Sequence, residues 1–458
     1  MNSQRLSRVV CTAPGKVLIT GGYLILKRPH SGLVLGTSAR FECVAEETGD
    51  NSTTSTAAAA STSRTIHVQV SSPQFDTVNA WTFTLQRTEA DAWCVASVLP
   101  DASNRSSNAF VVAGVAFSLL ACVDDDSSEW PSHVRLTVQG DNDFYSQDAQ
   151  LSALALPYTR DSLRALPKFA KCLAPSGLAG LQKTGLGSSA ALVTSLVGAL
   201  VSLLSRRVVA DRTLLHNVAQ LAHCAAQGKV GSGFDVAASV FGTQRYVRFS
   251  PAALADALAL TDVAALRFPP RAAVLRCVRA PQWDAQHEPL ELPPGVCLVL
   301  GDVARGSATP GMVNQILAWW DGKVAGQSAA DAQALVAQLD AANQRVFADL
   351  QQHRFDALSD DFRAVRALLK QMGERAGVPV EPDEQTALLD YTSRVDGVLA
   401  CGVPGAGGFD AVFVLLRSSA ALPALERAWQ QWRADGRGTV TMLPTTQAVG
   451  GIQIDADS

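Results

Sequence analysis

From Ala190 to Leu204 the chain runs fifteen residues with no charge, three hydroxyl side chains and one glycine. It enters that run from a glycine- and serine-rich turn, Lys183-Thr184-Gly185-Leu186-Gly187-Ser188-Ser189-Ala190. The run falls short of the ~20 apolar residues a membrane-crossing helix needs. It therefore reads as a helix buried inside a globular core, and such a helix requires a large domain around it. The chain can supply one: it has 458 residues, 47 % of them hydrophobic and 17 % charged. That length exceeds what a single hydrophobic core usually fills, so two domains are expected. The net charge of −4 offers no basic face to nucleic acid or an anionic membrane, so an anionic ligand must be met by a few local Lys, Arg or backbone N–H groups.

Nine cysteines lie scattered singly, with no CxxC pair. An odd number of distant cysteines argues against a disulfide framework or a zinc site, and for reduced thiols in a reducing compartment. The opening MNSQRLSRVV is followed by neither an apolar secretory core nor a cleavage site. The cytoplasm is the default expectation, with an organelle such as a peroxisome or glycosome left open.

Local patterning sets the organisation. KVLI (16–19) reads as a strand, opened by Ala13-Pro14-Gly15 and closed by Gly21-Gly22. Residues 48–64 collapse into Gly, Ser, Thr, Asn and Ala, which predicts a disordered insertion. RTIHVQV (64–70), WTFTL (81–85) and HVRLTVQG (133–140) alternate as half-buried strands do. Asn108–Cys122 and Ala190–Leu204 have the length of core helices. Beyond Phe249-Ser250-Pro251 the pattern changes: AAVLRCVR (272–279), GVCLVLG (295–301), GVLAC (397–401) and DAVFVLL (410–416) are expected strands, with helices near 323–375 and 420–433. Residues 1–250 are expected to form one domain and 285–458 another, joined by 251–284.

The segment 183–190 is the most informative chemically. Its glycines let backbone approach a ligand closely, and its serines sit where a helix begins. The first turn of a helix carries unpaired N–H groups and a positive dipole end, a natural seat for phosphate. A plain glycine turn with a serine N-cap would look the same. A Walker A loop is excluded because Gln182 stands where its second glycine belongs. A dinucleotide fingerprint fits Gly185, Gly187 and Ala190, but it begins far too late in the chain, with only Asp211 loosely placed as its acidic partner.

Three blocks occur in order: Ala13-Pro14-Gly15-Lys16, then Gly185-Leu186-Gly187-Ser188-Ser189-Ala190, then Gly402-Val403-Pro404-Gly405-Ala406-Gly407-Gly408-Phe409-Asp410. In this layout the chain resembles the GHMP kinases over nearly its whole length. Further segments look like the eukaryotic-type phosphomevalonate kinases within that superfamily: Gly140-Asp141-Asn142-Asp143-Phe144-Tyr145-Ser146, Ala222-His223-Cys224, Gly228 to Ala237 (GKVGSGFDVA) and Gly301 to Pro310 (GDVARGSATP).

The resemblance implies an α+β, two-lobed GHMP fold with a ribosomal-S5-like N-terminal lobe and a ferredoxin-like C-terminal lobe. It also implies a kinase using ATP and Mg²⁺ on phosphomevalonate. By resemblance Lys16, Lys183 and Asp235 are catalytic. Gly185, Leu186, Gly187, Ser188, Ser189, Ala190 and Asn108 hold the nucleotide, with Ser189 as the Mg²⁺ contact. Lys16, Ser232, Gly233, Asp235, Arg305, Ser307, Thr309, Gly405, Ala406 and Gly407 bind the substrate. Lys16 lies on an apolar strand, where an unpaired ammonium would be costly, and the family suggests Asp235 as its partner. Some relatives carry a second Mg²⁺-binding carboxylate eleven residues before that aspartate, where this chain has Cys224. The neighbouring His223 is expected to be structural or substrate-facing. A phosphate acceptor ionises with a pKa near ~6, so Asp235 would orient Lys16, or hold water and metal, more than act as a base. An alcohol-directed kinase such as mevalonate kinase, and a non-catalytic binding protein on the same fold, remain the competing readings. Oligomeric state is left undetermined.

Overall fold

The computed structural model describes residues 6–48, 62–88, 93–104, 108–123, 130–173, 182–281, 283–303, 309–324 and 326–457. The chain opens with two long strands, β1 (Arg8–Thr20) and β2 (Ser31–Glu47). Next come β3 (Ser63–Ser72), β4 (Thr77–Arg87), β5 (Trp93–Pro100), helix α1 (Ala109–Cys122) and β6 (His133–Gly140). Of the expected insertion at 48–64, residues 49–61 lie outside the described residues, and Ser63 and Arg64 already belong to β3. Alternation fixes the faces of these strands as the sequence suggests. Ile66, Val68, Trp81, Phe83, Leu85, Val134 and Leu136 all point into the core.

Short helices α2 (Asp148–Ala153) and α3 (Arg160–Ala165) lead to α4 (Ser188–Leu204), α5 (Arg212–Gln227) and α6 (Phe234–Phe241). Then follow β7 (Gln244–Val247), α7 (Ala252–Ala259), α8 (Arg271–Val278) and β8 (Gln286–Pro289). The rest comprises β9 (Cys297–Asp302), α9 (Thr309–Trp320), α10 (Ala329–Gln352), α11 (Phe355–Ala376), α12 (Asp383–Thr392), β10 (Val398–Gly402), β11 (Ala411–Leu416), α13 (Leu422–Ala434), β12 (Thr441–Met442), β13 (Gln447–Ala448) and β14 (Gln453–Asp457).

Ten strands among the described residues form one sheet along β14-β1-β2-β6-β3-β4-β5, with β7 and β13 also on β2 and β8 on β7. The β3–β6 pair runs parallel. The stretch 285–458 is shared between sheets: β8, β13 and β14 pair into the large one, and β10-β11-β9-β12 form an antiparallel sheet of four. The architecture is α+β.

β11 reads AVFVLL and is buried along its length because helices cover both faces of the small sheet. Phe413 and Leu415 join the core that contains residues of α10 and α11, while Val412, Val414 and Leu416 pack with Trp429 and Trp432 of α13. A strand covered on both sides needs no polar alternation.

The expected strand at 272–279 is instead helix α8. Its buried residues are Ala273, Val274, Cys277 and Val278, a spacing that repeats every four residues and not every two. Pro270 sits at its N-cap, and proline suits the start of a helix. The helix packs on α1, α5 and α7. No helix among the described residues is long and apolar enough to cross a membrane.

The uncharged run folds as the core helix α4, which lies across β1 and β2 and against α1 and α5. At Gly198 it packs directly on β1 and on the residue just before β14. A Cβ there would lie 2.5 Å from Cys11 Sγ and 2.6 Å from Ile452 Cδ1. Alanine is favoured over glycine in a helix by about 1 kcal/mol, yet overpacking a filled core costs about 1–3 kcal/mol. Because Cys11 is fully buried on a strand with little room to yield, overpacking should win. Gly198→Ala is expected to lower Tm in calorimetry, and a raised Tm would contradict this packing account.

Candidate active site

The first and second glycine motifs are joined by hydrogen bonds from a single residue. The Lys16 backbone N–H donates to Leu186 O at 2.9 Å, and its ammonium Nζ donates to Gly185 O at 2.9 Å. β1 carries a register irregularity between Pro14 and Lys16 where this happens. Both contacts need absent side chains. A Cβ on Gly15 would fall 2.8 Å from Leu186 O, and one on Gly187 would fall 2.8 Å from Lys16 Cε. Gly187 also has φ +75°, in the left-handed region that disfavours other residues.

Gly187 is the N-cap of α4, and no side chain caps that helix. Ser188 and Ser189 are thus its first helical residues and not caps, so the first-turn N–H groups remain available to an anion at the positive end of a seventeen-residue helix. The loop is held from behind by the segment 140–146. Thr184 N–H donates to Phe144 O at 3.3 Å, Ser146 N–H donates to Gln182 O at 2.9 Å, and Thr184 Oγ1 donates to Asp143 O.

Lys16 and Asp235 do not make the direct pair expected of them. The Asp235 carboxylate lies in the first turn of α6, where Val236 N–H donates to its Oδ1 at 3.0 Å. Its Oδ2 is 3.7 Å from His223 Nε2, and that same nitrogen is 3.1 Å from Ser189 Oγ. Burial pulls the Lys16 ammonium below the usual lysine range, and attraction to Asp235 partly opposes this. Burial likewise lowers the His223 pKa against the same opposing charge. Cys224 is fully buried and faces Gln220, whose Nε2 donates to its Sγ at 3.1 Å.

The third motif reaches back to the first strand. Gly405 N–H donates to Leu18 O at 2.9 Å, and Tyr23 OH donates to Ala406 O at 2.7 Å. Gly407 has φ +75°, and a Cβ on it would sit 2.1 Å from Val380 O. The three motifs therefore line one cleft of about 700 Å³.

Of the residues singled out in the sequence, the cleft is lined by Lys16, Lys183, Gly185, Leu186, Gly187, Ser188, Ser189, Ser232, Asp235, Gly405, Ala406 and Gly407. Ala190 is buried in α4. Asn108 caps α1, its Oδ1 accepting from Phe110 N–H at 3.0 Å. Gly233 has φ +85° and leaves room for Phe249 and Tyr246, which a Cβ would meet at 2.6 and 2.7 Å. Thr309 opens α9, while Arg305 and Ser307 lie outside the described residues. Asp211 caps α5.

The lining also includes Gln227, Lys229 and Arg248, which the sequence reading did not single out. Arg248 donates to Leu26 O at 2.6 Å, Val230 O at 3.1 Å and Gly231 O at 2.9 Å, which fixes the GKVGSG loop. Lys229 stood in plain view within that quoted block, but a lone arginine at a strand end carries no signal in sequence. A second, more polar cleft of about 560 Å³ lies around Gln327, Asp331 and Arg375, and none of the motifs reaches it.

Residues 177–243 match the GHMP kinases N terminal domain family, and residues 350–434 match GHMP kinases C terminal. Phosphomevalonate kinase ERG8 of Gibberella zeae is 34 % identical, covering 98 % of this chain and 97 % of that protein. A peroxisomal phosphomevalonate kinase of Arabidopsis thaliana is 33 % identical over 92 % of each. Among solved structures, the Lin0012 protein of Listeria innocua superposes with TM-score 0.67 at 17 % identity, covering 98 % of this chain and 99 % of that one. Streptococcus pneumoniae phosphomevalonate kinase, in complex with phosphomevalonate and AMPPNP, superposes with TM-score 0.57 at 16 % identity, covering 96 % and 99 %. The solved structures share the fold, the relatives share the sequence throughout, and the chain belongs to the phosphomevalonate kinases of the GHMP kinase superfamily.

Proposed function

We infer that this chain phosphorylates phosphomevalonate at the expense of ATP, forming diphosphomevalonate and ADP. The observation that carries the reading is the uncapped N-terminus of α4 opening into a cleft that also holds Lys16, Lys183 and Asp235. An acceptor phosphate oxygen attacks the γ-phosphorus, the bond to the bridging oxygen breaks, and ADP leaves with that electron pair. The nucleophile is already an anion near neutrality, since its second pKa is about 6. The barrier to be lowered is repulsion between polyanions, a task for fixed positive groups.

In this reading the first-turn N–H groups of α4 seat the triphosphate. Lys16, held at Gly185 O, places its ammonium beside the transferring group, and Lys183 and Lys229 add charge along the wall. Ser232 and the 405–407 backbone face the acceptor. We assign the metal contact to Ser189. The donor fits Mg²⁺: Ser189, which lines the cleft, offers a hydroxyl oxygen, and Mg²⁺ typically takes few protein oxygens together with substrate phosphates. When bound, the ion would neutralise charge that develops on the phosphates during transfer. We also take the chain as two lobes with the cleft between them; the docking of Gly405 on Leu18 supports this.

A coupled ADP-release assay tests the substrate. Phosphomevalonate should drive turnover, and mevalonate and diphosphomevalonate should not; turnover of mevalonate alone would overturn the assignment.

Asp235→Asn tests the electrostatics. The carboxylate favours the charged form of Lys16 and so raises its pKa against burial. Removing it must lower that pKa further. If turnover needs charged Lys16, the alkaline limb of the kcat profile should move to lower pH in the variant, while the acid limb stays near the substrate's own pKa of ~6. An alkaline limb unmoved or displaced upward would count against the role given to Lys16.

A further inference from the structure

His223 stands where three helix ends meet and has no part in the transfer step as described. It belongs to α5, Ser189 to the first turn of α4, and Asp235 to the first turn of α6. The residue is 1 % exposed, and its ring rests on Phe110 with centroids 5.3 Å apart. One atom, Nε2, faces Ser189 Oγ at 3.1 Å and Asp235 Oδ2 at 3.7 Å, and the Gln227 amide nitrogen Nε2 is 3.5 Å away.

A ring nitrogen offers a proton or a lone pair, not both. A lone pair aimed at a carboxylate would be repelled, so Asp235 favours hydrogen on Nε2; the Gln227 amide nitrogen at 3.5 Å pulls the other way, but as a neutral dipole against a full charge. The Ser189 hydroxyl then accepts that hydrogen bond, which fixes its rotation and leaves a second lone pair to face the cleft. Asp235 Oδ2, 3.7 Å away, is beyond hydrogen-bond reach, and the positive end of the same N–H dipole attracts it toward α5. Without that attraction the carboxylate would be free to swing onto Lys16, whose Nζ is now held by the Gly185 carbonyl.

We propose that His223 is a positioning residue whose Nε2–H ties Ser189 to Asp235, presenting a serine lone pair to the nucleotide's metal and keeping Asp235 off Lys16. The proposal rests on the roles assigned above to Ser189 and Asp235. It accounts for the chemistry of α5, which brings no carboxylate to the cleft: Cys224 turns inward and the imidazole one residue before it faces the site. Glutamine can place an amide N–H near the position of Nε2; leucine fills the space without a donor.

The test compares His223→Leu and His223→Gln with the wild-type protein in steady-state kinetics, calorimetric titration with ATP in the presence and absence of Mg²⁺, and thermal melting. Losing such a supporting contact typically costs 10–100-fold in activity or metal affinity. His223→Leu should lose kcat by about that factor with the phosphomevalonate KM nearly unchanged, and should lose the extra ATP affinity that Mg²⁺ confers. His223→Gln should regain most of both, with the two variants melting alike. Wild-type kcat and Mg²⁺ response in His223→Leu would overturn the proposal, as would equal losses in the two variants. Failure of the wild-type protein to use phosphomevalonate would sink the substrate reading instead, and the Mg²⁺-dependent ATP titrations would still decide the role of His223.

Discussion

The pair of hydrogen bonds from Lys16 to the loop at 185–186 is the constraint on which the site depends. The backbone bond, Lys16 N–H to Leu186 O, ties the loop to β1; the side-chain bond, Nζ to Gly185 O, makes the loop itself the holder of the ammonium. One residue thereby fixes both the backbone that we propose seats the nucleotide phosphates and the ammonium that we propose faces them. α4 begins directly after this tether and runs buried beneath the sheet. The helix end is thus as rigid as the core it belongs to, and it cannot retreat from a bound polyanion without disturbing that core.

Electrostatics in the cleft follow from the same arrangement. Burial lowers the Lys16 pKa while Asp235 pulls the other way, and a carboxylate in direct contact would have neutralised the charge that we propose the transfer draws on. The Asp235 carboxylate stands 3.7 Å from His223 Nε2 instead, near enough to Lys16 to favour the ammonium without an ion pair to it. The third motif contributes mainly backbone. Gly405 on Leu18 and Ala406 on Tyr23 bring a loop between strands of the small sheet onto the first strand of the large one.

What could be read from the sequence was whatever close packing writes into residue type. Gly15, Gly187 and Gly407 are glycines because another atom occupies the space of a Cβ, so the three motifs that line one cleft were legible. The strands 64–70, 81–85 and 133–140 were legible because one face is wet. α8 was misread because eight residues rich in small apolar types suit either period, and only its neighbours α1, α5 and α7 decide. β8, β13 and β14 are two to five residues long and owe their existence to pairing with distant strands, which no local pattern records. Asp235 does attract Lys16 electrostatically, but without an ion pair between them; the distance depends on where β1 and α6 place the two side chains, which the local sequence does not show.

Calorimetric titration with ATP of the Gly187→Ala variant beside the wild-type protein tests most directly that this tether makes the nucleotide seat. At φ +75°, with Lys16 Cε 2.8 Å from the added methyl, the variant must move either the loop or the lysine. The account predicts a folded protein, melting near the wild-type temperature, whose ATP affinity has fallen by at least about 10-fold, a loss of roughly 1.4 kcal/mol. ATP bound as tightly as by the wild-type protein would contradict it.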